Sequence, residues 1–274
     1  MFSAVSLRSF EEAHVFERLF RVLRRGDVTV APGTIHGVRA VMGTVYATGK
    51  ERDGALRRRV ARLAKRLRER RVVRVVTEAG FPFTDVLEQH GLRPPDRRKL
   101  FRAAAPELLR GYVAERRVAS VAILCRRPTE EVFRAAAAIG EGAKSILLLA
   151  DYEAETVAGL LRREFGLSVL LSKTHLAACD AALLYDFPAF VSEEELPASA
   201  RCVDVSEHGI ASTRALVTDA AFRPKDAMWD DAVARYPDLP YALFEAGVLP
   251  ADAFFADFSP VGTGIGRQNH PFGC

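Results

Sequence analysis

Cysteine is scarce in this chain and never closely paired. Four occur among 274 residues, Cys125, Cys179, Cys202 and Cys274, with no Cys-x-x-Cys spacing, which argues against a disulfide scaffold and against a zinc knuckle. Long apolar runs are missing as well. Stretches such as 145–150 fall far short of the ~20 residues that cross a bilayer. The amino terminus has no basic leader followed by an unbroken apolar segment, and acidic residues arrive by Glu11, so it does not read as a signal peptide. The expectation is a cytoplasmic protein with no membrane partner. No proline- or serine-rich tract is long enough to suggest disorder, and 49% hydrophobic with 27% charged residues is the balance of a chain that folds throughout.

Net charge is only +4, but its placement is uneven. Residues 50–74 hold twelve Lys or Arg against Glu51, Asp53 and Glu69, so this window carries +9 and the remainder −5. Within it, Leu56, Val60, Leu63, Ala64 and Leu67 fall on one helical stripe with arginines filling the remaining arc, the pattern of an amphipathic helix. Such a helix contacts a phosphate backbone or is simply a solvated face. It contains no aromatic residue to stack on bases, and the solvated face is the favoured reading, with nucleic acid an unfavoured partner.

Around that helix the pattern is mixed. Apolar spacing over 10–25 predicts a helix stopped at Gly26. Residues 28–31 and 38–47 are rich in β-branched types and interrupted by Pro32-Gly33 and Gly37, which predicts strands joined by turns. A strand over 72–77 and a short helix over 83–90, ended by Gly91, complete an amino-terminal α/β module of residues 1–95. Pro94-Pro95 marks the boundary, because two prolines fit neither a helix interior nor a central strand. Asp96 then opens a helix over 97–115, in which Pro106 predicts a kink or break.

The remainder, 96–274, reads as a second domain. Short apolar runs at 118–125, 144–150, 167–172, 181–186 and 201–206 alternate with helical or loop segments, a β-α-β rhythm that implies a mostly parallel sheet. Thr129 suits a helix cap before a helix ending at Gly140, 152–165 forms a second helix closed by Gly166, and 174–179 a single turn. A sixth strand over 214–218 and helices over 225–235 and 241–246 follow. From Phe258 the chain is glycine-rich. Gly262, Gly264 and Gly266 there resemble a phosphate loop, but no apolar strand precedes them and eight residues follow, so an irregular tail is expected.

Three stretches carry a resemblance. Cys179-Asp180-Ala-Ala-Leu-Leu-Tyr185-Asp186-Phe-Pro188, then Glu193-Glu-Glu-Leu196-Pro197, then Ala200-Arg-Cys-Val203-Asp204-Val205 resemble the second half of the Rossmann-type NAD(P)-binding domain of shikimate dehydrogenases and glutamyl-tRNA reductases. The resemblance covers about a third of the chain. It implies an α/β fold, a Rossmann-like mostly parallel sheet beside a smaller amino-terminal α/β module, and a nicotinamide cofactor, NAD or NADP.

The first turn departs from that pattern. A dinucleotide fingerprint needs Gly-x-Gly-x-x-Gly so that the pyrophosphate can reach the backbone amides at the helix start. Here Cys125-Arg126-Arg127-Pro128-Thr129-Glu130-Glu131 offers no glycine and places two carboxylates in the first helical turn. Asp151 stands 26 residues past Cys125, where the ribose-binding acid of an NAD site belongs, although a helix-capping role is favoured. The catalytic lysine and aspartate implied by a shikimate-type enzyme have no convincing counterpart: Lys50 is the one isolated lysine in a suitable loop, and it reads as solvated surface.

In a parallel sheet Cys125, Asp151, Lys173, Asp186 and Ser206 all fall at strand carboxyl ends, with Arg126, Arg127, Thr129 and His208 just beyond. These nine residues form the candidate ligand- or cofactor-binding rim, with Arg126 and Arg127 as anion contacts. A Cys125–His208 nucleophile pair is disfavoured, because a cysteine ending a buried strand is usually an apolar filler. His175 and Cys179 stand four apart but lack further ligands nearby, so no metal is expected. The leading reading is a small-ligand-binding or regulatory protein with a degenerate nucleotide site. The alternatives are an NAD(P)-dependent oxidoreductase with an atypical phosphate loop, and an anion- or nucleic-acid-binding module working through helix 52–71. Whether any reaction is catalysed, and whether the chain forms a homo-oligomer, are left open.

Overall fold

The computed structural model describes residues 2–9, 28–47, 52–116, 120–206, 216–217 and 220–257. The helix expected over 10–25, His208 and the glycine-rich tail lie outside them. The chain forms two compact units, residues 1–100 with 222–255, and residues 101–221 with 256–274.

In the first unit, strands β1 (Phe2–Ser9), β2 (Val28–Ile35), β3 (Val38–Ala47) and β4 (Arg74–Thr77) form a sheet in the order β2-β3-β1-β4. Strand β1 runs parallel to both β3 and β4. The sequence reading assigns no strand there, yet β1 is internal to the sheet. Phe2, Ala4 and Val5 are buried, and so are Ser3 and Ser6, whose polarity hides the apolar run. Ser3 Oγ donates to the Val41 carbonyl at 2.6 Å, which offsets the desolvation of its hydroxyl.

Strands β2 and β3 pair antiparallel through a two-residue turn, His36-Gly37, with φ of 46° and 82°, the left-handed pair that such hairpins need. Pro32-Gly33 was expected to break the first strand and does not. Pro32 sits opposite Val41 on an edge strand, where a missing N–H costs no ladder bond.

Helix α1 (Asp53–Glu69) buries Val60, Leu63, Ala64 and Leu67, as the stripe predicts. They share a core with Val5, Val28, Val41, Val45, Val75 and Leu87. A Cβ on Gly43 would lie 3.0 Å from Leu63 Cδ1, so the glycine sets how closely the helix approaches the sheet. Arg59 donates to the Tyr46 carbonyl at 2.6 Å and Arg66 to that of Val28 at 2.9 Å, tying α1 to β3 and β2. Helix α2 (Thr84–Gln89) ends at Gly91, φ 76°.

Helix α3 (Arg97–Arg116) runs through Pro106 unbroken, contrary to a break there. Leu100, Phe101, Ala104, Ala105, Leu109 and Val113 form a continuous buried stripe along it, which outweighs the one backbone hydrogen bond that proline removes.

The second unit is built on a six-stranded sheet from β5 (Ser120–Cys125), β6 (Ser145–Ala150), β7 (Val169–Leu170), β8 (Ala181–Leu184), β9 (Arg201–Asp204) and β10 (Leu216–Val217), in the order β10-β9-β8-β5-β6-β7. Every pairing is parallel. Counted from β5, this is the order 3-2-1-4-5-6 of a doubly wound nucleotide-binding sheet. Strands β5, β6 and β8 are buried almost throughout, which is why they read as unbroken apolar runs rather than alternating ones.

Helix α4 (Glu130–Gly140) packs against β5, and α5 (Ala154–Phe165) against β6. Leu176, from the 3-10 helix Lys173–Ala178, and Cys179, Val191 and Leu196, from the connections, pack with Ala122, Leu124, Leu147 and Leu184. Among the described residues no helix is long and apolar enough to cross a membrane.

In the first unit's later segment, 3-10 residues Ala227–Trp229 lead into α6 (Asp230–Arg235), followed by α7 (Leu239–Glu245). The segment brings Trp229 edge-on to His36, with ring centroids 5.3 Å apart. Strands β11 (Ala221–Pro224) and β12 (Phe254–Asp257) make a two-stranded sheet.

Candidate functional site

The strand order reverses between β5 and β8, the place where such sheets bind ligands beyond their carboxyl ends. Cys125 ends β5, and Tyr185 and Asp186 follow β8, their backbone N–H groups donating to the Leu124 carbonyl at 2.9 and 3.3 Å. Across this switch point Arg126 Nε stands 3.1 Å from Asp186 Oδ2, both side chains half exposed or more. Asp186 Oδ1 accepts from the Phe187 N–H at 2.8 Å. The two residues that the sequence placed separately on the rim thus meet and bridge the crevice.

The other rim residues are also engaged. Arg127 is held 2.6 Å from Glu153, and the guanidinium keeps that carboxyl below the usual carboxylate range. Glu153 sits at φ 57° as the N-cap of α5, with no side-chain capping bond. The capping role that the sequence favours for Asp151 is not the one it fills: Glu153 is the N-cap, and Asp151 Oδ1 accepts from the Ala189 N–H at 2.7 Å, holding the loop after β8 rather than the helix. Lys173 Nζ lies 2.6 Å from Glu195 and donates to the Phe190 carbonyl at 2.6 Å. Ser206, buried, donates its N–H to Asp204 Oδ1 at 2.8 Å.

Thr129 caps α4 as expected, its Oγ1 accepting from the Val132 N–H at 3.4 Å. In the first turn Glu131 pairs with Arg102 at 2.7 Å and Glu130 with Arg134 at 2.5 Å. Two carboxylates therefore occupy the positive end of the helix dipole. Pro128, just before the cap, has no N–H to offer an anion.

Cys125 is 2% exposed. Burial, aided by Asp151 and Asp186, pushes its thiol up to about 12, so no thiolate nucleophile exists at neutral pH. Cys179 Sγ donates to the His175 carbonyl at 3.5 Å, and burial raises its thiol to about 11. Among the described residues no three His, Cys, Asp or Glu stand together as metal ligands.

Sequence reasoning passed over Tyr185 and Arg102. Tyr185 is 7% exposed, its hydroxyl has no hydrogen-bond partner among the described residues, and the Arg102 guanidinium lies 5.3 Å from the ring centroid. Burial first, then the charge of Glu131, raises the phenol well above its ordinary value. Arg102 belongs to α3, far away in sequence, so only its place on that helix's periodic pattern hinted at it. Tyr185 was visible only as the residue before Asp186.

The fold and this rim define a Rossmann-like α/β protein. No protein-family profile matches the chain, and no curated protein does. Solved structures similar to it include L-tryptophan dehydrogenase from Nostoc punctiforme, at 12% identity over 77% of this chain with a TM-score of 0.31. This chain spans 65% of that protein, less than two thirds. Shikimate dehydrogenase from Aquifex aeolicus is 14% identical over 74% of this chain and 78% of its own, TM-score 0.31. Ornithine carbamoyltransferase from Thermus thermophilus is 17% identical over 89% and 85%, TM-score 0.32. The fold rests on the strand order itself, and overlaps of this size say nothing about chemistry.

Proposed function

We propose that this chain is a small-ligand-binding or regulatory protein whose Rossmann-type crevice no longer takes the diphosphate of a nicotinamide dinucleotide. The observation that carries the reading is the β5–α4 turn: no glycine, a proline before the cap, and Glu130 and Glu131 in the first helical turn. Magnitudes decide which feature matters. The exposed Arg126–Asp186 pair contributes at most about 1 kcal/mol and would yield to a bound anion. The turn is different, because a diphosphate normally takes its hydrogen bonds from close-packed backbone amides at this place, and side chains and carboxylates stand there instead.

The ligand that suits the crevice is small and lacks a diphosphate. Its polar contacts would be the Tyr185 hydroxyl and the Arg126–Asp186 pair. A buried phenol with no partner among the described residues gains a hydrogen bond from a ligand acceptor. Asp151 contributes by fixing the loop at Ala189 rather than by holding a ribose. The buried, protonated Cys125 takes no part in covalent chemistry.

Native mass spectrometry of the freshly purified chain, with denaturing release of whatever it carries, tests the proposal. The expected released species is a molecule smaller than a dinucleotide, retained less well by Tyr185→Phe. Stoichiometric NAD or NADP would refute the reading in favour of an oxidoreductase.

A further inference from the structure

We propose that the groove along the outer face of helix α1 is a binding site for a small, multiply charged phosphate anion. Arg58, Arg62 and Lys65 stand at i, i+4 and i+7 and therefore form one ridge. Arg59 lies beside them, and His90, the C-cap residue of α2, faces them. Together with two alanines these residues line a groove of about 500 Å³, within the size range of small-molecule sites. No carboxylate lines it among the described residues.

An ordinary solvated helix face intersperses acids among its bases, and this one does not. Inside Asp53–Glu69 the only acids are the two terminal residues. The nearby Asp85 is taken by Arg57 at 2.7 Å, outside the groove. A multiply charged anion placed along this ridge meets several cations at once.

The site is also held in shape. Arg59 is anchored on the Tyr46 carbonyl at 2.6 Å and His90 Nδ1 lies 2.9 Å from the Val86 carbonyl, so both are oriented before any ligand arrives. Among the described residues no Phe, Tyr or Trp lines the groove, which removes the large stacking platforms that single-stranded nucleic acid uses. Charge density is what the groove can read, and a short polyphosphate concentrates charge in that volume better than orthophosphate does.

Isothermal titration of the full chain with inorganic tripolyphosphate at fixed ionic strength tests this. The expected result is saturable binding at one site, with orthophosphate weaker by about tenfold or more. The double variant Arg58→Glu/Lys65→Glu should bind about tenfold more weakly per reversed charge. The milder Arg58→Gln/Lys65→Gln, which keeps the helix free of new repulsions, should fall between. Lys144→Glu/Arg163→Glu, the same charge change on the second unit, should bind as the natural chain does. Absent binding, binding unaffected by the Arg58/Lys65 variants, or tighter binding of a DNA duplex at equal phosphate concentration would each overturn the proposal. This groove belongs to the first unit and the crevice to the second, so either reading can fail without the other.

Discussion

Cys125 illustrates how far a single environment sets chemistry. Its thiol is pushed up to about 12, mainly by burial and secondarily by Asp151 and Asp186. It should therefore resist iodoacetamide in the native protein at pH 8 and react only after denaturation, as peptide mapping would show; rapid native labelling would mean that the site is open. The same shift links to stability. Because the native thiol keeps its proton while the unfolded one, with an ordinary value of 9.0, loses it, the contribution is fully present below about pH 9 and declines as pH rises toward 12. A urea midpoint that fell over this interval would agree, and the Cys125→Ala variant should show a shallower fall. Tyr185→Phe removes a buried hydroxyl that has no partner among the described residues, so stability should hold or rise by up to about 1 kcal/mol. A loss above about 2 kcal/mol would show that the hydroxyl is satisfied. At this scale the sequence was only partly legible. Cys125 and Thr129 could be read because strand ends and caps are local features. The ion pairs Arg126–Asp186 and Arg127–Glu153 could not, since they join residues 60 and 26 positions apart.

Helix α5 carries a paired experiment at the scale of an element. Gly159 is exposed with nothing near its missing Cβ, whereas Gly166 caps the helix in the left-handed region at φ 65°. Gly159→Ala should stabilise by about 1 kcal/mol through helix propensity, and Gly166→Ala should destabilise by about 1 kcal/mol. Denaturant unfolding of both variants checks the pair, and shifts of the same sign would show that the cap geometry is wrong. The elements of the second unit were legible because β5, β6 and β8 are buried on both faces and their helices end at glycine. Strand β1 was not, because Ser3 and Ser6 interrupt its apolar residues and find their partners, among the described residues, on the sequence-distant β3. Pro32 misled for a related reason: whether a proline breaks a strand depends on its being at the edge, and edge position is a property of the sheet. Of the kink or break that Pro106 predicts, the break does not occur, because one lost hydrogen bond is set against a long buried stripe whose partners are distant in sequence.

On the scale of the whole molecule, the parallel sheet could be expected from the rhythm of apolar runs, but its strand order could not. Nothing local makes β8 rather than β7 the neighbour of β5, and that choice creates the switch point where Arg126 and Asp186 meet. Likewise no composition shift showed that residues 222–255 would join the first 100 in one compact unit. The missing glycines were legible at once, and their meaning became definite only when the turn took its place beside the crevice.

The most direct test is the melting temperature of the chain with NAD, NADH, NADP and NADPH, each at about 1 mM. A dinucleotide bound with a Kd near 10 µM would add roughly 2.7 kcal/mol and raise the melting point by several degrees. The account predicts no saturable rise with any of the four; a saturable rise with one of them, lost in Asp151→Ala, would contradict it.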